Sequence, residues 1–361
     1  MTFDRNVPYN DLPLLPPGVD FETKEILKKI VLAREALAKL DASNKRLPNE
    51  SLLINSVILQ EARMSSEIEN IVTTNDEMYK AIVTENKDID PELKEVIHYP
   101  GALWHGHEFI KKNGFMNTNL FVEMVNIIKE HDAGIRKIPG TKLSNPKTGE
   151  IYYTPPEGED IVRKKLKNLE DYMNDTSDNI DPLIKMAVIH YQFEAIHPFH
   201  DGNGRTGRII NILFLVMNGL LEQPILYLSK YIIENKGAYY TSLRNITEKN
   251  DWMPWVEYMI EAIESTARYT EQKVNDICDL MKKTGDDIKS NLPGIYSREL
   301  IDVLFQLPYV KRKFLENAGI VKEKTAGRYL TELEKIGVLK PLKVGREKLY
   351  INVKFFDLLK K

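Results

Sequence analysis

Twelve consecutive residues, His197-Pro198-Phe199-His200-Asp201-Gly202-Asn203-Gly204-Arg205-Thr206-Gly207-Arg208, hold most of the chemistry that this chain of 361 residues advertises. Gly and Asn accept positive φ and let successive backbone N–H groups converge on an anion. A helix opening at the end of such a loop adds its free N–H groups and the positive end of its dipole. Phosphate is the natural guest. Arg205 and Arg208 are three apart, so on a first helical turn both guanidinium groups can reach one polyphosphate. The Asp201 carboxylate suits a Mg2+ ion shared with substrate phosphates. His197 stands at the head of the loop, where an imidazole can take a proton from an attacking hydroxyl near neutral pH. Taken singly, each feature has a plain reading as a turn, a structural histidine or a solvated arginine. Together within twelve residues they describe a nucleotide-phosphate site with its own base.

The elements that must hold this loop are helical. Apolar residues three and four apart recur from Phe21 onward, as in Ile26, Ile30, Leu37 and Leu40, which marks amphipathic helices. Pro13, Pro16 and Pro17 predict an extended N-terminal arm, and Pro48 a break between two helices. Helical spacing over Leu183–Ile196 and Ile209–Met217 flanks the motif, and Thr206-Gly207-Arg208 is expected to open the second of these helices. Asn145-Pro146-Lys147-Thr148-Gly149 followed by Ile151-Tyr152-Tyr153-Thr154 predicts a small β-hairpin. A long helix from Trp255 to about Met281 is expected to give way to a linker over Gly285–Pro293.

Composition is that of an ordinary folded protein: 42% hydrophobic, 29% charged, net charge −3. The single Cys278 excludes an internal disulfide and fits a reducing cytosol, so a cytoplasmic location is expected. No apolar run is long enough to span a bilayer, and the first residues lack the pattern of a signal peptide.

The motif resembles the signature H-x-F-x-[DE]-G-N-G-R-x-x-R of the Fic family, with every defined position met by His197, Phe199, Asp201, Gly202, Asn203, Gly204, Arg205 and Arg208. The resemblance implies an all-α fold in the main: a Fic-type helical core with a hairpin flap. It implies a protein adenylyltransferase that moves AMP from ATP to a Ser, Thr or Tyr hydroxyl of a target protein or of itself, releasing pyrophosphate. His197 would be the base, Asp201 the Mg2+ ligand, and Gly202, Asn203, Gly204, Arg205, Thr206, Gly207 and Arg208 the phosphate cradle. Phe199 would pack inward. The flap near Tyr152–Pro156 would pin an extended target segment by strand addition, unless it is a plain surface hairpin. Tyr239 and Tyr240 would line the adenine pocket, or else belong to the core. Ser65-Ser66-Glu67-Ile68-Glu69-Asn70 fits the family's inhibitory pattern, in which Glu69, four residues from Ser65, would pair with Arg208 and deny it to the terminal phosphate. Its plain alternative is a surface glutamate followed by a C-capping Asn. A homodimer is also implied.

Charge is uneven along the chain. Residues 296–361 carry 15 basic and 8 acidic side chains, a net +7, against −10 for the rest. Three short helices, at Leu300–Gln306, Lys311–Asn317 and Thr325–Ile336, are followed by Val338-Leu339, a turn at Gly345-Arg346 and the strand Leu349-Tyr350-Ile351. This resembles a winged helix in which Thr325 caps a recognition helix bearing Arg328, and Lys343, Arg346 and Lys348 form a basic wing. Such a unit can meet DNA phosphates or serve as a protein-binding module. The expected organisation is therefore a helical region over 1–110, a catalytic core over 111–285 and a winged-helix unit over 296–361. Two rivals to the adenylyltransferase stand beside it: a DNA-binding regulator whose core only senses nucleotide, and an enzyme that removes AMP or transfers another phosphate group.

Overall fold

The computed structural model describes residues 3–45, 50–84, 89–145, 148–345 and 347–360. Pro48, Pro146, Lys147 and Arg346, each used in the sequence argument, lie outside them. An extended arm runs to Thr23, which caps α1 (Lys24–Asn44) by accepting the Ile26 N–H. Then come α2 (Glu50–Ile68) and α3 (Asn75–Val83), the latter opened by a capping box between Thr74 and Glu77. Next, α4 (Pro91–Asn113) starts with Asp90 as cap and proline at its first position, and α5 (Thr118–Lys129) follows the Asn117 cap.

The expected hairpin forms from β1 (Leu143–Ser144) and β2 (Ile151–Tyr153), antiparallel with Leu143 opposite Tyr153. After α6 (Glu159–Asn174), α7 (Pro182–Ile196) is apolar nearly all round and almost wholly buried, the mark of a central core helix. It hands over through the motif to α8 (Asn203–Met217), also buried. Helices α9 (Leu228–Glu234) and α10 (Lys236–Lys249) then lead into α11 (Met253–Asn291).

That last helix corrects an expectation. Gly285 to Asn291 continue α11, and no linker begins at Gly285. Gly285 is buried beside Tyr296 and Ile301, which a Cβ there would meet at ordinary van der Waals distance, so burial against the next unit outweighs its weak helix propensity.

The C-terminal unit comprises α12 (Arg298–Gln306), β3 (Tyr309–Val310), α13 (Arg312–Asn317), α14 (Glu323–Lys335), β4 (Lys340–Val344), β5 (Glu347–Ile351) and α15 (Val353–Lys360). Its strands form one antiparallel sheet in the order β3-β5-β4. Thr325 does not cap α14. The helix begins two residues earlier, after Lys322, and no side chain caps it. Lys343 and Lys348 are direct cross-strand partners at the end of the β4–β5 ribbon, and Arg328 is exposed on α14. The unit packs against the N-terminal helices: the Tyr309 hydroxyl donates to Asp76 of α3, Ser56 of α2 donates to the Gln306 carbonyl, and Tyr79, Tyr309 and Phe356 share an aromatic cluster. The buried apolar side chains of the helical region and of this unit form one continuous core. Among the described residues, no helix is long and apolar enough to cross a membrane.

Candidate active site

His197 is the residue at which α7 stops. It takes a left-handed conformation (φ 49°, ψ 59°), and its N–H still bonds the Phe193 carbonyl. The orphan carbonyls at this helix end need donors. Arg136 supplies them from a buried position, giving its Nε to the His197 carbonyl (2.7 Å) and Nη2 to the carbonyls of Ile196 (3.2 Å) and Pro156. Phe199 packs inward as the resemblance implied. Asn203 closes the loop, its amide accepting the Phe199 N–H and donating to the Phe199 carbonyl, both at 2.8 Å.

Gly202, at φ 83°, is the N-terminal cap of α8, a conformation for which a side chain would be strained. The helix therefore opens at Asn203 and not at Thr206. Of the residues proposed for the cradle, Asn203 ties its side chain into the loop while its backbone opens the first turn of α8, Thr206 is fully buried with its N–H on the Gly202 carbonyl, and Gly207 lies under Glu194, whose Oε1 is 2.6 Å from where a Cβ would stand.

The two arginines also part company. Arg208, 1% exposed, gives its Nε to the Ser65 hydroxyl (2.7 Å) and its Nη2 to the Ser65 carbonyl and to Glu69 Oε1 (both 2.8 Å). Arg205, 0% exposed, turns to the far side of α8 and gives its Nη1 to Glu95 of α4. Residues three apart differ by about 60° around a helix, enough for α2 to claim one and α4 the other. The expected joint grip on one polyphosphate is not formed in this arrangement.

A cavity of about 630 Å³ opens on this place, lined among others by Glu69, Glu194, His197, Gly204, Arg208 and Tyr240. Tyr240 is 45% exposed and presents its ring there. Tyr239 is 2% exposed and packs edge-on beneath it, its hydroxyl bonded to Nε2 of buried His190 at 2.8 Å. Both therefore line the cavity, Tyr240 with an exposed ring and Tyr239 from beneath it, where its hydroxyl is also tied into the core. Tyr153 of the hairpin gives its hydroxyl to the Ala195 carbonyl, holding the flap on α7. The arm lies against the flap's end: the Tyr9 N–H reaches the Thr154 carbonyl, and Phe3 stacks on Tyr153. A second cavity, of about 890 Å³, lies beyond Phe3 and is lined by none of the motif residues.

Electrostatics sharpen the roles. Burial first, and then the nearby Arg136 charge, push the His197 imidazole down to about 4, so at neutral pH the ring is an unprotonated acceptor. Its Nδ1 is buried without a hydrogen-bond partner, which leaves Nε2 as the nitrogen a substrate can reach. Burial raises the Glu194 carboxyl to about 7. Burial opposes the charge of Arg208, but Glu69, joined by Tyr239 and Glu194, outweighs it and its pKa is raised. Burial would raise Asp201, yet Lys129 and Arg205 hold it below the usual carboxylate range. Among the described residues, no three His, Cys, Asp or Glu side chains cluster as a metal cage. Asp201 alone still fits Mg2+, which commonly takes one or two carboxylates and draws its other ligands from phosphate and water. Its side chain is 63% exposed, one oxygen accepts the Gly202 N–H, and the other already faces a cation, the Lys129 ammonium at 2.5 Å.

Glu95, Lys129, Arg136 and Glu194 carry much of this architecture and escaped sequence reasoning. Glu95 and Lys129 lie on separate helices, and no local pattern announces their meeting.

Two family patterns match the chain: "Fic/DOC family N-terminal" over residues 27–108 and "Protein adenylyltransferase SoFic-like, C-terminal domain" over 280–355. Among curated relatives, the protein adenylyltransferase fic-1 of Caenorhabditis elegans is 28% identical over 184 residues, 48% of this chain and 33% of that protein. A probable protein adenylyltransferase of Aquifex aeolicus is 35% identical over 107 residues, 30% of each. The chain thus spans about a third of the length of these relatives. A crystal structure of a Fic family protein from Desulfovibrio desulfuricans has a TM-score of 0.58 at 19% identity and covers 94% of this chain and 98% of its own. Fic-1 of C. elegans (residues 134–508) gives 0.54 at 20% identity, covering 70% and 73%. These structures share the fold. The complete motif where α7 meets α8 and the matching segments on both flanks support a Fic domain protein.

Proposed function

We propose that this protein is a self-restrained protein adenylyltransferase. The observation that carries the reading is the meeting, in one cavity, of His197, the N-terminal end of α8 and an Arg208 held by Glu69. In the proposed reaction a protein hydroxyl gives its proton to His197 Nε2 as its oxygen bonds the α-phosphorus of ATP. The bond from that phosphorus to the bridging oxygen breaks, pyrophosphate leaves, and the imidazolium returns its proton to solvent. Backbone N–H groups at the head of α8 and its dipole stabilise the charge gathering on the phosphates. Asp201 would hold Mg2+, which when bound neutralises phosphate charge. The base and AMP site lie beside Tyr240, and the flap would hold the target segment once the arm yields Thr154–Pro156.

In the restrained state Glu69 occupies the guanidinium that the terminal phosphate needs, so ATP binds without the geometry that in-line displacement requires. The reading is tested by incubating the protein with ATP and Mg2+ and weighing the products. Wild type should gain the mass of AMP slowly and Glu69→Gly rapidly, while His197→Ala should gain nothing. Labelling of His197→Ala at the wild-type rate would overturn it. Gain of a lone phosphate, or loss of AMP from a pre-modified target, would move the reading to the other transfer chemistries.

A further inference from the structure

Beside the head of α8, four charged side chains from α4, α5 and the motif form a closed set. Lys129 places its ammonium 2.5 Å from Glu95 and 2.5 Å from Asp201, Arg205 donates to Glu95, and Arg205 Nη2 lies 3.5 Å from Asp201. Two positive and two negative charges balance. Lys129, Glu95 and Arg205 are shielded, at 14%, 15% and 0% exposure, while Asp201 faces outward.

We propose that Lys129 is a positioning residue that acts as a displaceable counter-cation on Asp201, moving wholly onto Glu95 when a divalent cation arrives with the substrate phosphates. This rests on the reading of Asp201 as the Mg2+ ligand. Lys129 holds Oδ2, while Oδ1 is engaged by the Gly202 N–H, so the ammonium sits on the oxygen left free to meet a metal. Glu95 is an alternative seat already at contact distance, so the transfer needs only the terminal torsions of the lysine. The stem of Lys129 keeps its course because α5 is pressed on the loop: a Cβ at Gly202 would stand 2.9 Å from Val125 Cγ2 and 3.9 Å from Lys129 Cδ. Neither carboxylate is stranded by the exchange, since Arg205 remains on Glu95 and near Asp201. Without the ammonium, Asp201 would face Arg205 alone; without Glu95, the ammonium would have nowhere else to go.

Two substitutions should therefore act with opposite sign. The measurement is calorimetric binding of ATP to the full chain with and without Mg2+, in a Glu69→Gly, His197→Ala background that neither restrains nor turns over the nucleotide. For each protein the quantity is the ratio of the two Kd values, metal-free over Mg2+-loaded. Lys129→Met should raise that ratio about tenfold, since it removes a unit charge a few ångströms from a dication. Glu95→Gln should lower it by a similar factor. Lys129→Gln, which keeps a polar end, should follow Lys129→Met and covers the case in which the methionine form fails to fold. Movement of both ratios in one direction, or of neither, overturns the proposal. A ratio near one in the parent background would instead sink the Mg2+ reading of Asp201, on which the proposal stands.

Discussion

Glu69 Oε1 and Arg208 Nη2 stand 2.8 Å apart although 139 residues separate them in the chain. Ser65, one turn before Glu69, grips the same guanidinium through both its hydroxyl and its carbonyl. Deleting the carboxylate should free the arginine while leaving the backbone contact. Labelling by Glu69→Gly is therefore expected to exceed wild type by at least about tenfold, the change a lost charge-assisted hydrogen bond can carry. Ser65→Ala should raise labelling less, because Glu69 and the Ser65 carbonyl still hold Nη2. Time courses of AMP incorporation measure both.

The depressed basicity of His197 sets the acid limb of the pH profile. A base that protonates only near pH 4 stays functional through the neutral range, so kcat should be insensitive to this group from about pH 6 to 8 and fall as pH drops toward 4. Arg136→Gln removes a charge that opposes the imidazolium, and the limb should move to higher pH. A limb that stays in place in the Gln form would show that burial alone depresses His197.

Glu61 of α2 is buried, its carboxylate accepting the N–H and hydroxyl of Ser229 at the start of α9. Burial raises it from 4.5 to about 7. The folded form then keeps a proton that the unfolded chain has lost. Its stabilising contribution is complete below about pH 4.5, declines as pH rises through about 7, and stays lost above. The swing is about 3 kcal/mol. Glu61→Gln should flatten that part of the profile, seen as a smaller drop in denaturation midpoint between pH 5 and 8 than in wild type.

Gly207 and Glu194 form a fitted pair. A Cβ at position 207 would press on Glu194 Oε1 at 2.6 Å and Phe193 Cδ1 at 3.2 Å. Gly207→Ala should cost about 1–3 kcal/mol as an overpacking change. Shortening the acid should recover part of that cost, so a double-mutant cycle with Glu194→Ala should show favourable coupling in urea denaturation.

What the sequence discloses follows the range of the interactions. The His197–Arg208 loop is legible because its chemistry is packed into neighbours, and the helices around it because apolar spacing repeats locally. Only the resemblance pairs Glu69 with Arg208, since spacing alone leaves Glu69 an ordinary surface acid. Arg136, Glu95 and Lys129 are invisible to local pattern because each acts through partners 20 to 110 residues away. Gly285 misled because a glycine in a polar stretch reads as a break. In the fold it simply continues α11, at a buried position where even a Cβ would meet Tyr296 and Ile301 at ordinary van der Waals distance. Arg205 and Arg208 look alike in a motif and are told apart only by which helix lies opposite.

The loop between α7 and α8 is bracketed by two left-handed residues, His197 and Gly202, and cross-tied by Arg136 and Asn203. Fixing a residue's backbone costs about 1–2 kcal/mol of conformational entropy, and for these residues that cost falls on folding instead of on substrate capture. A nucleotide meeting this loop has little left to order. Release of Arg208 requires Glu69 to move, so slow exchange in solution is expected at the α2–α3 corner and not in the His197–Arg208 loop.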